Sequence, residues 1–189
     1  TNKLGDTGDY RIIGNSTPRF KYGITLDAAW KGFDFSIFMQ GIGKRDLWLD
    51  GCYFWGANGQ GNEWQSTGFA EHWDFFRPEG DPLGANLNSY YPRVNFSRGR
   101  NTQTQTRYLQ NGAYLRLKNV QLGYTLPRVW TEKAGISSVR VYVSGDNLAT
   151  ITSLSKIFDP EATGSLAGTG SGKLYPLQRV ISVGVNVNF

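Results

Sequence analysis

The stretch ISVGVNVNF at residues 181–189 alternates apolar and polar side chains without interruption. Isoleucine, valine and phenylalanine occupy the odd positions, while serine, glycine and asparagine occupy the even ones. Successive side chains of a β-strand point to opposite faces of the sheet, so this period of two predicts a strand with one apolar and one polar face. The segment therefore indicates an all-β fold.

Four earlier segments repeat this period, which places five predicted strands at about residues 20–30, 33–42, 113–126, 138–148 and 178–189. Lys31-Gly32 separates the first two strands and is a signal for a tight hairpin turn. The alternation of the third strand changes phase near Lys118-Asn119, which indicates either a β-bulge or the point where the strand leaves the apolar layer. The sequence thus predicts paired, half-buried strands along most of its length.

The connections between the predicted strands alternate in length, being short at 31–32 and 127–137 and long at 43–112 and 149–176. Short turns at one end and long loops at the other are typical of an antiparallel up-and-down transmembrane β-barrel. Each strand has roughly the 9–11 residues that a membrane-crossing strand needs. Five strands are too few to close a barrel, so a segment of a larger barrel is expected. A soluble β-sandwich also alternates and stays an alternative.

The composition excludes several classes of protein. The 189 residues include 20 Lys and Arg, 15 Asp and Glu, one cysteine and one histidine. The single Cys52 rules out a disulfide scaffold and a cysteine-built zinc site, and the single His72 rules out a histidine metal cluster. No apolar run reaches the length of a transmembrane helix. The first residues lack the apolar core of a signal peptide, so a targeting signal is expected outside this segment.

Residues 112–127, GAYLRLKNVQLGYTLP, resemble the "aYLRLKNvqLGYtLP" signature of the SusC/RagA family of TonB-dependent outer-membrane transporters. Further similarities follow in the family's order: VRVYVSGDNL at 139–148, FDPE at 158–161 and YPLQR at 175–179. Upstream, the spacing of IGN, Pro and Phe within residues 13–23 is also similar to the family pattern. The resemblance covers nearly the whole chain, and the motifs are specific as a group.

The resemblance implies that the chain is the C-terminal portion of such a transporter, contributing about the last five strands of a 22-stranded barrel. The plug domain and the TonB box of the family are absent from residues 1–189. The long loops 43–112 and 149–176 would face outward, and Phe189 would be the terminal aromatic residue that signals barrel assembly. The implied location is the outer membrane of a Gram-negative, Bacteroidetes-type bacterium.

The resemblance also implies a function and partners. The complete protein would import oligosaccharides or peptides, without a cofactor, beneath a SusD-like surface lipoprotein. The TonB complex would act through the missing N-terminal part, and outer-membrane lipid and lipopolysaccharide would surround the barrel. A passive porin or adhesin barrel and a soluble carbohydrate-binding β-sandwich are the alternative functions.

Aromatic side chains crowd the first long loop, and five of them are the candidate contacts for substrate or partner: Trp48, Tyr53, Trp55, Trp64 and Trp73. Aromatic rings stack on sugar rings and are frequent hot spots of protein interfaces. The competing interpretation is that these rings pack within a large ordered loop.

No group of residues predicts catalysis, so the protein is not expected to be an enzyme. His72 is a lone loop histidine, and Asp159 with Glu161 is expected to shape a turn around Pro160 rather than to act as a glycosidase pair. The segment Gly168–Lys173 fails the spacing of a phosphate-binding loop. No nucleic-acid-binding motif accompanies the arginines of residues 93–107, so no nucleic acid is expected as a partner.

Overall fold

The computed structural model of the protein describes residues 8, 10–57, 68–95, 100–164 and 174–189. Its strands are β1 (Lys21–Trp30), β2 (Phe33–Ile42), β3 (Asp46–Leu47), β4 (Gln110–Asn111), β5 (Tyr114–Thr125), β6 (Ser138–Thr152) and β7 (Val180–Asn188). Its α-helices are α1 (Cys52–Trp55) and α2 (Arg128–Thr131), and 3-10 helices lie at Ala70–Trp73, Arg100–Thr102, Thr106–Tyr108, Glu132–Ala134 and Ala162–Gly164. Within these described ranges, no helix is long and apolar enough to cross a membrane.

Five long strands form one antiparallel sheet in the order β1-β2-β5-β6-β7. Each long strand is hydrogen-bonded to the long strand that follows it in the chain, so the sheet is a simple meander. A second, two-stranded sheet pairs β3 with β4 inside the first long connection. The described chain is therefore mostly antiparallel β structure with few helices, as the alternation in the sequence predicts.

The strand register aligns the apolar positions of all five strands on one face of the large sheet. Phe35 pairs with Leu122, Leu122 with Val143, and Val143 with Val183. The large side chains of this face are solvent-accessible: Ile24, Leu26, Trp30, Phe33, Phe35, Leu122, Val141, Val143, Ile181, Val183, Val185 and Val187. Val183 is 76% exposed. The sheet therefore presents a continuous apolar surface that the described residues of the sheet do not bury.

The opposite face of the same sheet is polar. Asn119 Nδ2 donates to Asp146 Oδ1 at 2.7 Å, and Arg116 Nε donates to Thr150 Oγ1 at 2.8 Å. A row of uncharged polar side chains crosses the sheet at Ser36, Gln121, Ser144 and Ser182. The two faces of the sheet thus differ sharply in polarity, because apolar and polar side chains alternate along each strand.

The strand register shifts near Lys118-Asn119, where the alternation in the sequence changes phase. The pairing of β2 with β5 shifts between Phe38 and Met39, where the register skips Lys118. The pairing of β5 with β6 shifts at the same place. On β6, Asn147 adopts a left-handed conformation with φ 51°. The phase change in the sequence therefore marks a place where β5 and both of its neighbours change register together.

Strand β6 is longer than the sequence predicts, because it continues past residue 148 to Thr152. The additional residues pair with the start of β5, with Thr150 opposite Arg116 and Thr152 opposite Tyr114. The Thr152 hydroxyl also donates to the Ala113 carbonyl at 2.9 Å. Cross-strand contacts therefore extend the strand beyond the segment that shows clear alternation.

The chain divides into two compact units. The sheet unit comprises Pro18–Arg45, Gly112–Leu154 and Pro176–Phe189, and the loop unit comprises the described residues of Thr1–Thr17, Asp46–Asn111 and Ser155–Tyr175. The loop unit has its own core, in which Leu49, Phe54 and Trp55 are almost completely buried. The first long connection is therefore ordered around apolar side chains in its described part, although its sequence shows no periodicity.

Candidate functional site

The core of the loop unit is a network of aromatic rings centred on α1. Phe54 and Trp55 meet edge to face, with ring centroids 5.0 Å apart. Tyr91 packs 5.8 Å from Phe54, and both Trp48 (6.0 Å) and Tyr108 (4.8 Å) pack against Trp55. Edge-to-face geometry is favourable because the positive ring edge meets the negative ring face. The network explains why so many aromatic residues occur in this connection.

Glu71 links the two long connections within the loop unit. Its Oε1 accepts a hydrogen bond from the Tyr91 hydroxyl at 3.1 Å, and its Oε2 accepts one from the Ser155 hydroxyl at 2.8 Å. Burial raises the pKa of the Tyr91 phenol, and the Glu71 carboxylate raises it further. Tyr91 therefore stays a neutral donor, as its hydrogen bond to a carboxylate requires.

His72 is held by backbone groups on both sides of its ring. Its Nδ1 accepts from the Phe69 N–H at 2.9 Å, so its Nε2 carries the proton that it donates to the Phe54 carbonyl at 2.9 Å. Gly56, with φ 58°, lies against the ring, where a Cβ would stand 2.9 Å from Nδ1. These contacts give His72 a structural position in the loop unit.

A cleft of about 260 Å³ opens beside this network. We call it the aromatic cleft; its lining includes Trp55, Phe69, His72, Trp73, Phe75 and Tyr91. Trp73 is 61% exposed and stands edge to face with Phe75 at 6.1 Å. The Trp55 Nε1 is buried and has no hydrogen-bond partner among the described residues. The aromatic cleft is therefore an apolar, ring-lined surface with one exposed indole.

Arg77 supports the exposed side of the aromatic cleft. Its guanidinium lies 5.6 Å from the centre of the Trp73 ring and 4.8 Å from that of Phe75. Its Nη1 donates to the Trp73 carbonyl at 3.0 Å, and its Nε donates to the Gly84 carbonyl at 2.7 Å. The buried cation thus stacks on the two rings and satisfies two backbone acceptors.

A second and larger cleft, of about 600 Å³, lies elsewhere in the loop unit. We call it the polar cleft; its lining includes Tyr10, Arg11, Trp48, Asp50, Gln103 and Thr106. These residues come from three segments that are far apart in sequence. Two aromatic residues, one cation, one anion, one amide and three threonine hydroxyls therefore lie around one space.

The structure places the five aromatic candidates in different positions. Trp55 and Trp73 line the aromatic cleft, and Trp48 lines the polar cleft. Tyr53 packs against Phe69 with ring centroids 5.5 Å apart. Trp64 lies outside the described residues. The assignment of these residues to substrate or partner contact stays a prediction.

Other candidate positions also have defined surroundings. Asp159 Oδ1 accepts the Glu161 N–H at 2.9 Å, and its carbonyl accepts the Ala162 N–H at 3.0 Å, so Asp159 shapes the expected turn. Phe189 is 90% exposed, directly after β7. Gly168–Lys173 lies outside the described residues. In the described part of the chain, no three His, Cys, Asp or Glu residues are grouped as a metal site would need.

Sequence analysis missed most of the polar cleft. Tyr10 and Gln103 carry no periodic or motif signal, and the fold brings them beside Trp48 from different segments. Tyr91 was missed as a lining residue of the aromatic cleft for the same reason. The sequence signal that indicates the clefts is the high density of aromatic residues in an otherwise polar connection.

The fold and the clefts define a class of protein: a mostly antiparallel β protein whose long connections, rather than its sheet, carry the candidate binding groups. The chain is 32% identical to TonB-dependent receptor P3 and 28% identical to TonB-dependent receptor P26, both of Formosa agariphila, over 97% of its own length. Its fold is similar to the RagAB peptide importer in the open-open state (TM-score 0.70, 27% identity) and in the closed-closed state (0.69, 29%), each over 95% of the chain.

In each of these comparisons the chain spans 18% of the relative's length. No family model matches the chain. The similarities to named receptors and to the RagAB structures nevertheless confirm the SusC/RagA resemblance. The chain belongs to the TonB-dependent receptors of the SusC/RagA type, and its relatives are named as receptors and importers, not as enzymes.

Proposed function

We propose that this chain forms part of the barrel wall and two outer loops of a TonB-dependent transporter in the outer membrane of a Bacteroidetes-type bacterium. On this proposal the five-stranded sheet contributes to a closed, 22-stranded barrel. The transporter imports oligosaccharides or peptides and works with a SusD-like surface lipoprotein. The described loop unit supplies contacts to substrate or to that partner.

The observation that carries the proposal is the exposed apolar face of the sheet. Rows such as Phe35, Leu122, Val143 and Val183 run across neighbouring strands without a polar interruption. A soluble protein rarely exposes an apolar surface of this extent, whereas lipid chains match it. The polar face, with Asn119 and Asp146, would then line the wet interior of the barrel.

Site-directed spin labelling of the full-length transporter in lipid vesicles tests the position of the sheet. Val183→Cys and Ser182→Cys place a label on the two faces of one strand, in a background that includes Cys52→Ser. We expect the label at 183 to be accessible to oxygen, which dissolves in lipid, and the label at 182 to a water-soluble nickel complex. Equal access of the nickel complex to both labels would contradict the proposed wall.

Uptake assays test the transport function separately. Deletion of the full-length gene should abolish uptake of its oligosaccharide or peptide, and loss of TonB should have the same effect. Uptake that persists without TonB would favour a passive porin. Co-purification of a SusD-like lipoprotein with the full-length protein is expected, and its absence under conditions that preserve uptake would contradict that partner.

A further inference from the structure

The two short connections of the large sheet lie side by side at one end of it. The Gly32 carbonyl accepts the Thr125 N–H at 2.8 Å, which places the Lys31-Gly32 turn beside the end of β5, where the connection 126–137 begins. We propose that this short-turn end binds the head group of an anionic phospholipid, with Trp30 and Lys31 as its main contacts. The inference rests on the proposed membrane wall and adds a lipid-recognition site to it.

The apolar face of the sheet changes in character toward the short-turn end. Two of its rows are an aliphatic row of Leu26, Ile37 and Val120 and, nearer the turn, an aromatic row of Trp30, Phe33 and Tyr124. The rings of Phe33 and Tyr124 lie 4.5 Å apart, and the cationic Lys31 directly follows the exposed Trp30. Aliphatic side chains suit the hydrocarbon of a bilayer, and tryptophan and tyrosine suit the level of the head groups. The order aliphatic, aromatic, cationic therefore follows the polarity of a membrane from its centre to its phosphates.

Lys31 occupies a backbone position that does not favour lysine. The φ angles of Lys31 and Gly32 are 47° and 89°, and a two-residue turn of this kind requires positive φ at both positions. Asparagine or glycine meets that requirement with less strain. A strained residue at a position where a better one exists points to a role for its side chain. The Lys31 Nζ lies 4.9 Å from the centre of the Trp30 ring, so a cation–π contact holds the ammonium group beside the aromatic row.

The second short connection exposes apolar side chains at the same end of the sheet. On α2, Val129 is 70% exposed and Trp130 is 67% exposed. Thr131 is buried, and its hydroxyl donates to the Arg128 carbonyl at 3.2 Å. A soluble anion would leave these apolar groups in water, whereas a lipid also covers them with its acyl chains. The exposed residues of α2 therefore favour a phospholipid over a soluble phosphate compound.

The charges of the two short connections favour an anionic head group. They comprise three cations and one anion: Lys31, Arg128, Lys133 and Glu132. Arg128 Nε and Glu132 Oε1 form an ion pair at 2.6 Å, so these two charges offset each other. The net positive charge thus comes from two exposed lysines, Lys31 and Lys133. A head group with a net negative charge complements them, while phosphatidylcholine carries a cation of its own.

The test measures lipid retention by the full-length transporter in detergent, using native mass spectrometry. Phosphatidylglycerol and phosphatidylcholine with the same acyl chains are titrated separately. Lys31→Asn removes the charge and introduces a residue that tolerates the left-handed conformation, and Trp30→Ala removes the ring. Lys156→Asn, at an exposed lysine of the loop unit, is the matched control.

We expect phosphatidylglycerol to bind more tightly than phosphatidylcholine. Lys31→Asn should weaken binding of phosphatidylglycerol by about fivefold and leave that of phosphatidylcholine unchanged. Trp30→Ala should weaken binding of both lipids, and Lys156→Asn should alter neither. The thermal midpoint of Lys31→Asn without added lipid should equal or exceed that of the unsubstituted protein, because backbone strain is relieved. Weaker lipid binding then does not come from a damaged fold.

Equal binding of the two lipids, or an unchanged preference in Lys31→Asn, would overturn the proposal. Loss of a co-purifying protein from Lys31→Asn, with lipid retention unchanged, would also overturn it, because a protein would then occupy the short-turn end. Spin-label accessibility at residues 182 and 183 reports separately on the membrane wall. Failure of the lipid site is therefore distinguishable from failure of the proposed function.

Discussion

Arg140 on β6 and Asp34 on β2 form an ion pair that reaches across the strand between them. Arg140 Nε donates to Asp34 Oδ1 at 2.9 Å, and Nη2 donates to Oδ2. The pair passes over Gly123 of β5, where a Cβ would stand 2.5 Å from both Arg140 Nη2 and Asp34 Oδ1. The glycine leaves the space through which the two side chains meet, so three strands are tied together on the polar face.

Substitutions of two sheet glycines should have unequal effects. At Gly123 a methyl group meets the flexible ends of two side chains, whereas at Gly41 it meets the backbone carbonyl of Tyr114 and the hydroxyl of Tyr22. Gly123→Ala should therefore displace the ion pair and lower the thermal midpoint only slightly. Gly41→Ala should lower the free energy of unfolding by about 1–3 kcal/mol, because the backbone at Tyr114 must move. Thermal unfolding of the full-length protein in detergent measures both; an equal loss would contradict the argument.

A double-mutant comparison isolates the ion pair. If Gly123→Ala acts by displacing Arg140 from Asp34, adding it to Asp34→Ala should lower the thermal midpoint no further. Additive losses would show that Gly123 matters for another reason.

The sheet could be predicted closely because each long strand separates two environments, and side-chain alternation records that separation directly. The phase change at Lys118-Asn119 indicates the register shift of β5 for the same reason. The extension of β6 to Thr152 could not be predicted, because pairing with the start of β5 determines it. Local alternation has already ended there, so only the cross-strand neighbours identify these residues as strand.

The clefts of the loop unit could be predicted only in part. A high density of tryptophan and tyrosine indicated a ring-rich surface, but the sequence could not separate Trp48 from Trp73. Their assignment to different clefts depends on how Phe54 and Trp55 are buried between distant segments. Contacts of this kind have no sequence period, so the grouping of Tyr10 with Gln103 emerges only from the folded chain.

The left-handed backbone of Asn147 gives a prediction about residue type. Its φ is 51°, and its Nδ2 donates to the Gln178 carbonyl at 3.0 Å. Asn147→Gly should keep the backbone conformation but lose one hydrogen bond. We expect the free energy of unfolding to fall by about 1 kcal/mol. Asn147→Val should lower the free energy of unfolding by roughly 2–3 kcal/mol, because a β-branched residue is also strained in the left-handed conformation. Denaturant unfolding of the full-length protein measures the difference, and equal costs for both variants would exclude backbone strain as the cause.

Arg77 should be important for the stability of the loop unit, because its guanidinium is buried beside the aromatic cleft. It is 9% exposed and serves two carbonyl acceptors. Arg77→Met keeps the apolar stem but leaves these acceptors unpaired. We therefore expect the free energy of local unfolding around Arg77 to fall by about 2–3 kcal/mol. Hydrogen exchange of residues 73–86 should accelerate accordingly. Arg93→Met, at an exposed arginine of the same connection, is the control and should leave exchange unchanged.

Tyr91 predicts how the loop unit responds to alkaline pH. Burial, then the Glu71 carboxylate, raise the pKa of its phenol above the ordinary value near 10. The folded state therefore binds this proton more tightly than the unfolded state. The stabilisation is complete below about pH 10 and decreases as the pH rises further, by up to about 1.4 kcal/mol per pH unit.

Unfolding of the full-length protein at about pH 9, 10 and 11, followed by proteolysis within the loop unit, measures this slope. Tyr91→Phe cannot ionise, so it should reduce the decrease above pH 10 while losing the hydrogen bond to Glu71 at every pH. Burial also raises the pKa of the neighbouring Tyr90, which should supply part of the remaining decrease. Tyr175→Phe, at a tyrosine that is 94% exposed, should leave the slope unchanged. A slope in Tyr91→Phe equal to that of the unsubstituted protein would mean that another group in the loop unit controls alkaline unfolding.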